Sequence, residues 1–335
     1  MGLDIRRKFV YYSLVIFLLP FWVVSFYFYQ LVEKSLEFSS LKHLDSISTI
    51  YKSKIGLVLE EYFNDTKSII FNDSFKSLVS NYKINDIEIS GRINSIFEDY
   101  KNLNSHINKI SLLNNLGDVM ESSDKGDIAK NYFASRIYDL NRNDLIVFDY
   151  FKPENGKYLL KLFGPVNINN SKAAVLMVEF NAKDLFDVVN TDEGLGDTGE
   201  IVTAERNVNG DARVIAPLRF DYIGDYNRVI NKDSLKEPMV KALSNKEGIY
   251  KEDVFDYRGI PVLAVTRHID IADWGMVVKM DRKEFSDSTV RMKIVFFVIT
   301  LGVSIFISLM INYISYEITQ SCIAGKQRNS AVRRK

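Results

Sequence analysis

The chain contains 335 residues, of which 47% are hydrophobic and 26% are charged, so global disorder is excluded and two or three domains can form. Its 43 basic residues balance 43 acidic ones, which excludes a generally basic nucleic-acid-binding protein. The single cysteine, Cys322, excludes a disulfide framework and a cysteine-rich zinc site.

Two long stretches, Phe9 to Leu31 and Ile294 to Tyr316, contain no charged residue. As a helix each would be about 34 Å long, enough to cross a hydrocarbon layer of about 30 Å. The alternatives are a buried core helix and, for the first stretch, a cleaved signal peptide. The length of uncharged sequence and the lack of a small-residue cleavage site disfavour both. The sequence therefore predicts transmembrane helices at 9–31 and 294–316.

Basic residues dominate the flanking tails, 1–8 and 317–335. By the positive-inside rule we expect both tails in the cytoplasm and the large intervening segment outside. That segment has more acidic than basic residues and no cysteine, which is consistent with a bacterial periplasm. The sequence thus predicts a two-pass protein of the bacterial inner membrane.

The first part of the exterior segment has the pattern of long helices. No proline occurs between Pro20 and Pro153, and apolar residues recur every three or four positions along one helix face. We predict a stalk and further helices over residues 32–110, with one helix at about 87–110. The stripe predicts core packing or a dimer seam and comprises Leu41, Leu44, Ile47, Tyr51, Ile55, Val58 and Tyr62.

Beyond residue 110 the sequence turns to short β-rich runs separated by turn signals. The dipeptides Asn155-Gly156 and Asn209-Gly210 lie between such runs and predict β-hairpins. The predicted strands span residues 144–151, 157–163, 173–180, 200–206, 211–216, 249–255, 262–268 and 274–280.

Residues 175–185 align without a gap on residues 275–285. Each copy reads as a strand followed by a helix start, with Asn181 or Asp281 at the N-cap. We therefore predict two α+β modules, at 111–190 and 191–290, although two similar strand endings could also arise by chance. In the second copy the helix would run from Arg282 into the second apolar stretch, so a shift of the strand would reach the membrane.

The segment Gly194–Gly199 (GLGDTG) satisfies the pattern G-x-G-x-x-G. A dinucleotide site needs a strand before this pattern and a helix after it, whereas here a helix precedes and a strand follows. The glycines are better explained as a flexible connection between modules. The three histidines are far apart and no catalytic motif stands out, so we expect no enzyme, no metal and no cofactor.

Two segments of the second half carry a family resemblance. GLGDTGEIVTAERNVNGDARVIAPLRFD (Gly194 to Asp221) and DYRGIPVLAVTRHIDIADWGMVVKMDRKEF (Asp256 to Phe285) resemble the membrane-proximal module of double-Cache (tandem PAS-like) sensor domains, found in bacterial receptors such as sensor histidine kinases. The resemblance implies an α+β fold, in which a long N-terminal stalk helix precedes two tandem PAS-like modules with antiparallel sheets, all flanked by two transmembrane helices. It also implies a homodimer and a small ligand, such as an amino acid or an organic acid.

In this family the ligand most often occupies the membrane-distal module, lined by aromatic residues, an arginine and an aspartate. The resemblance makes Tyr132, Arg136, Asp149 and Tyr150 the counterparts in this sequence. Arg136 would hold a carboxylate with two hydrogen bonds, and Asp149 would accept from an amine. No tryptophan lies in this region, so the amino-acid-binding signature is not matched, and a surface salt bridge or a packed tyrosine is the alternative for each residue.

Trp274-Gly275 and Arg258-Gly259 are expected to define the fold rather than to bind ligand. The leading functional hypothesis is a sensor that binds a small extracytoplasmic ligand and relays the signal through the second transmembrane helix. Family members usually continue into a transmitter, whereas about 19 residues follow Tyr316 here. The alternative is therefore a receptor remnant, or an accessory membrane protein that acts through a separate partner histidine kinase. An exterior enzyme has no residue constellation to support it.

Overall fold

The computed structural model describes residues 2–83, 86–128, 130–132, 147–151, 158–189, 191, 194–216, 218–221 and 228–332. The chain divides into two compact units, one formed by 1–42 with 282–335 and the other by His43–Asp281. Helix α1 (Gly2–Ile70) contributes to both units.

The first unit contains the beginning of α1 and the last helix, α6 (Arg282–Val332). The two helices are in contact, since the Trp22 and Phe297 rings meet edge to face with centroids 6.3 Å apart. On α6, Thr300 and Ser304 are buried, and each hydroxyl donates to a carbonyl one turn earlier. Small hydroxyl side chains of this kind allow two helices to approach closely in an apolar environment.

Both helices are long and apolar enough to cross a membrane, judged by length and composition alone. The apolar side chains of α1 point outward, with Phe17 61%, Val24 65% and Phe26 65% exposed. The core helix of a soluble protein would bury such side chains. The exposure therefore disfavours the buried-helix alternative.

The second unit contains two sheets. The first sheet is antiparallel and has five strands, in the order β2-β1-β5-β4-β3. Helices α2 (Asp73–Ser80) and α3 (Ile87–Leu103) begin at side-chain caps supplied by Asn72 and Asp86, and they pack on this sheet together with α1. The strands are β1 (Ile107–Leu113), β2 (Val119–Ser122), β3 (Val147–Phe151), β4 (Leu159–Ile168) and β5 (Ser171–Asn181).

The apolar stripe of α1 packs into the core, as predicted. Tyr62 stacks on Phe180 of β5 with ring centroids 4.4 Å apart, and its hydroxyl donates to the Asn181 carbonyl at 3.3 Å. The sequence predicts Val58 as a buried member of the stripe, whereas the structure buries its neighbour Leu59 fully and Val58 only in part. The other stripe residues that are buried are Leu44, Ile47, Tyr51 and Ile55.

A second antiparallel sheet of six strands follows, in the order β8-β7-β6-β11-β10-β9. Helix α4 (Lys183–Val189) connects β5 to this sheet, and helix α5 (Pro238–Leu243) packs on it. A Cβ atom on Gly275 would lie only 3.0 Å from the Leu243 backbone nitrogen, so this glycine allows the close approach of α5. The strands are β6 (Glu200–Arg206), β7 (Ala212–Val214), β8 (Val229–Ile230), β9 (Gly248–Tyr250), β10 (Val262–Ile269) and β11 (Trp274–Asp281).

The structure confirms the α+β class, with a long N-terminal helix and antiparallel sheets. The helix predicted at 87–110 ends earlier, at Leu103, and β1 begins at Ile107, where β-branched residues favour a strand. The strand predicted at 249–255 is confined to β9, because Asp253 has a φ of +55°, which extended strands do not adopt. The Asn209-Gly210 hairpin is confirmed, whereas Asn155-Gly156 lies outside the described residues.

The segment Gly194–Gly199 lies between α4 and β6, so the predicted order of helix before and strand after is confirmed. Gly194 has a φ of +76°, its carbonyl oxygen lies 2.8 Å from His43 Nε2 of α1, and a Cβ on Gly199 would overlap the Leu195 carbonyl. The glycines therefore form a tight turn that contacts α1.

Candidate functional site

A row of charged residues crosses the middle of the first sheet. The strand register places Lys109 opposite Glu179, Glu179 opposite Lys161, and Lys161 opposite Asp149, so the sign of charge alternates across β1, β5, β4 and β3. The first three are buried, with exposures of 9%, 4% and 6%. Burial of charge is tolerated where opposite charges lie side by side.

Glu179 holds two lysines together. One carboxylate oxygen lies 3.7 Å from the Nζ atoms of both Lys109 and Lys161, and the other accepts a hydrogen bond from the Asn108 amide at 2.5 Å. A single carboxylate therefore faces two ammonium groups at the centre of the sheet.

Asp127 approaches this row from the short 3₁₀ turn Lys125–Asp127 and is fully buried. Its carboxylate accepts hydrogen bonds from the Tyr132 hydroxyl at 2.7 Å and from the Lys109 ammonium at 2.8 Å, and Lys130 lies 2.8 Å away at the surface. Burial acts to raise the pKa of Asp127, but the hydrogen bonds from Lys109, Lys130 and Tyr132 outweigh burial and lower the pKa. The group is a carboxylate at neutral pH.

The same contacts keep Lys109 charged. Burial acts to lower its pKa, and the hydrogen bonds to Asp127 and Tyr132 reverse that effect and raise the pKa. The Tyr132 ring lies beside both buried lysines, with its centroid 4.7 Å from Lys161 Nζ and 5.5 Å from Lys109 Nζ. Burial and then Asp127 raise the pKa of the Tyr132 hydroxyl, which stays a neutral donor. We call Lys109, Asp127, Tyr132, Lys161 and Glu179 the charge cluster.

Of the residues predicted from the sequence, Tyr132 lies in the charge cluster. Asp149 and Tyr150 are on β3, opposite Lys161 and Leu160 in the register. Arg136 and the side chains of Asp149 and Tyr150 lie outside the described residues.

Sequence reasoning missed Lys109, Asp127, Lys161 and Glu179. A signal for three of them is present, because each strand carries one charge within an apolar run: Lys109 in KISLL, Lys161 in LLKLF and Glu179 in VLMVEF. A solitary charge within a strand that is buried on both faces must find a partner.

The cluster presents both signs of charge. Its ammonium groups suit a carboxylate and its carboxylates suit an amine, each through charge-assisted hydrogen bonds. Among the residues that the structure describes, no group of three histidine, cysteine, aspartate or glutamate side chains is arranged to hold a metal ion.

No family model matches the sequence, and no curated protein matches it. Solved structures do match. The periplasmic sensory domain of the Campylobacter jejuni chemoreceptor Tlp1 is 13% identical with a TM-score of 0.55, over 75% of this chain and 98% of that one. The ligand-binding domain of the Campylobacter jejuni chemoreceptor Tlp3, in complex with 4-methylisoleucine, is 15% identical with a TM-score of 0.50, over 75% of this chain and 94% of that one. The chain has the fold of a double-Cache sensor domain. We call the part of the chain built on the first sheet, β1–β5, the first module and the part built on the second sheet, β6–β11, the second module, so the charge cluster lies in the first module.

Proposed function

We propose that this protein is a transmembrane receptor, which binds a small extracytoplasmic ligand at the charge cluster and relays the signal through helix α6. The cluster itself carries this proposal. Buried charges cost several kcal/mol each to desolvate, and well-packed apolar residues would often stabilise the sheet more. A group of buried charges beside an aromatic ring is therefore better explained by ligand recognition than by stability.

The charges of the cluster support a ligand with a carboxylate. Within the cluster the ammonium groups of Lys109 and Lys161 lie beside the carboxylates of Asp127 and Glu179, so both signs of charge are present. The two ammonium groups suit a carboxylate, and Asp149, in register with Lys161, supports an amine in the same ligand. We infer an amino acid or an organic acid. The amino acid bound by Tlp3, a protein of the same fold, supports this class.

The route of the signal is proposed from chain continuity. Helix α6 begins at Arg282, the residue after β11 ends, so the backbone runs from the second sheet directly into the apolar stretch. The basic residues that flank both apolar stretches support a two-pass protein of the bacterial inner membrane, with residues 32–293 in the periplasm and both termini in the cytoplasm. A ligand would shift α6 only by binding one conformation more tightly than another.

The exposed side of α1 supports a homodimer. Along α1, Ile50, Leu57 and Asn64 repeat every seven residues, and the two apolar ones are 52% and 64% exposed. Heptad spacing is typical of a seam between two helices.

We propose a histidine kinase as the partner that receives the signal from this chain. Copurification of such a kinase with this chain tests that step.

A thermal-shift screen of the full chain in detergent tests the binding proposal. The panel contains the 20 common amino acids, short mono- and dicarboxylic acids, and simple amines, and any compound that raises the melting temperature is then titrated by calorimetry. We expect Lys161→Met to weaken binding of that compound at least about tenfold, because a charge-assisted contact is lost.

Lys130→Met is the matched control, because Lys130 carries the same charge but its side chain is 59% exposed. Its effect on binding should be about twofold or less. The proposal fails if no compound on the panel stabilises the wild-type chain, or if Lys161→Met binds as tightly as wild type.

A further inference from the structure

The sequence repeat places two residues of opposite charge at one structural position. Glu179 on β5 aligns with Lys279 on β11, and each strand lies inside its sheet with an antiparallel neighbour on both sides. Glu179 lies between two lysines, whereas Lys279 lies opposite Glu200 on β6 and Ala264 on β10. The second module therefore carries a cation where the first module carries an anion.

The Lys279 ammonium is enclosed by groups that would also recognise a free amine. The side chain is 2% exposed, its Nζ lies 2.9 Å from a Glu200 carboxylate oxygen, and it donates a hydrogen bond to Asp256. The Tyr257 ring centroid is 4.2 Å from Nζ, and the Tyr257 hydroxyl donates to Glu200 at 3.0 Å. Two carboxylates and an aromatic face are the elements with which proteins bind ammonium ligands.

The first module repeats part of this arrangement. There too a lysine lies beside a tyrosine ring, and the tyrosine hydroxyl donates to a buried carboxylate: Tyr132 to Asp127 in the first module and Tyr257 to Glu200 in the second. The difference lies in the residue at the repeated position, which is Lys279 between two carboxylates in the second module and Glu179 between two lysines in the first.

We propose that the Lys279 side chain is an internal ligand of the second module. Its ammonium group fills a site for a primary alkylammonium group and so holds the module in the conformation of a ligand-bound module. Control by an external ligand is then confined to the first module.

The internal ligand is connected to the start of α6. Asp256, which binds Lys279, also accepts from Arg258 Nε at 2.7 Å, and Arg258 pairs with Asp281, the last residue before α6. Burial acts to raise the pKa of Asp256, but Lys279 and Arg258 outweigh burial and lower it. The chain of charges from Lys279 to Asp281 therefore fixes the end of β11.

Removal of the internal ligand tests the proposal. Lys279→Ala deletes three methylenes and the ammonium group, which together correspond to n-propylammonium. In the full chain in detergent at pH 7.5, we expect this variant to melt about 10 °C below wild type, because the buried carboxylates of Glu200 and Asp256 lose the ammonium group between them. Addition of 100 mM n-propylammonium should raise its melting temperature by about 5 °C and leave that of wild type unchanged.

Two controls separate the site from general salt effects. n-Propanol has the same shape without the charge and should not restore stability. Lys236→Ala removes an exposed lysine that pairs with the exposed Asp253 and should neither lower the melting temperature nor respond to the amine. If Lys279→Ala does not fold alone, the double variant Lys279→Ala/Glu200→Gln keeps only the Asp256 carboxylate at the vacated ammonium position and should still respond to the amine, more weakly.

The proposal is overturned if n-propylammonium stabilises neither variant beyond the effect of n-propanol, or if Lys279→Ala is as stable as wild type. Failure of both variants to fold, even when they are produced in the amine, overturns it as well. These outcomes are independent of the ligand screen on wild type, which reports on the first module.

Discussion

Replacement of Asp127 by asparagine removes one negative charge from the charge cluster and preserves the size of the side chain. Asp127 is fully buried and pairs with the buried Lys109 at 2.8 Å. Loss of one partner of a buried pair costs about 3–5 kcal/mol. Glu179, 3.7 Å from Lys109, and the remaining amide oxygen offset part of this loss, while the exposed ion pair with Lys130 contributes little. We expect a net loss of about 2–3 kcal/mol, or a fall in melting temperature of about 5–10 °C.

Thermal unfolding of the full chain in detergent, followed by circular dichroism at pH 7, measures this loss. Lys130→Met is the control and should shift the melting temperature by less than about 2 °C. The pKa of native Asp127 is lowered, so its stabilisation is present above the unfolded-state value of about 3.9 and is lost as pH falls through the native pKa. The gap between wild type and Asp127→Asn should therefore close in acid. A shift below about 2 °C at pH 7, or a gap that does not change with pH, would refute the reasoning.

Three further predictions follow from other parts of the chain. Burial and a neighbouring carboxylate raise the pKa of Glu237 to about 8, so wild type should lose stability as pH rises from about 4.5 to 8, and Glu237→Gln should remove that loss when unfolding is measured across this range. Phe180→Ala should cost about 3–5 kcal/mol in urea unfolding because it empties a core stack, whereas Phe71→Ala, at an exposed position, should cost about 0.5 kcal/mol or less. In an otherwise cysteine-free background, Leu57→Cys should form a disulfide-linked dimer on mild oxidation, and Val208→Cys, 83% exposed in the second module, should not.

Local patterns predicted the elements that depend on neighbours in sequence. The three- and four-residue steps from Leu44 to Tyr62 mark the buried face of α1, and Asn209-Gly210 marks a hairpin, because helix periodicity and turn chemistry are set within a few residues. The family resemblance likewise predicted the fold that the solved sensory domains share.

The charge cluster could not be read in the same way, because its members come from distant parts of the chain. Lys109 and Glu179 are 70 positions apart and meet only through the register of β1 on β5. A single charge within an apolar strand can also point to solvent on the edge of a sheet, so KISLL alone does not specify burial. Asp127 lies in a three-residue turn whose placement over the sheet is decided by tertiary packing.

Thiol crosslinking between α1 and α6 in native membranes, with a short bismaleimide reagent, tests the receptor most directly. The Trp22 and Phe297 rings are in contact, with centroids 6.3 Å apart, so cysteines introduced by Trp22→Cys and Phe297→Cys face each other across the two helices. With a saturating compound from the ligand screen, we expect the rate of crosslinking to change at least about threefold, and the change should disappear when Lys161→Met is added to the pair. An unchanged rate at saturation would contradict a signal that travels from the first module through α6.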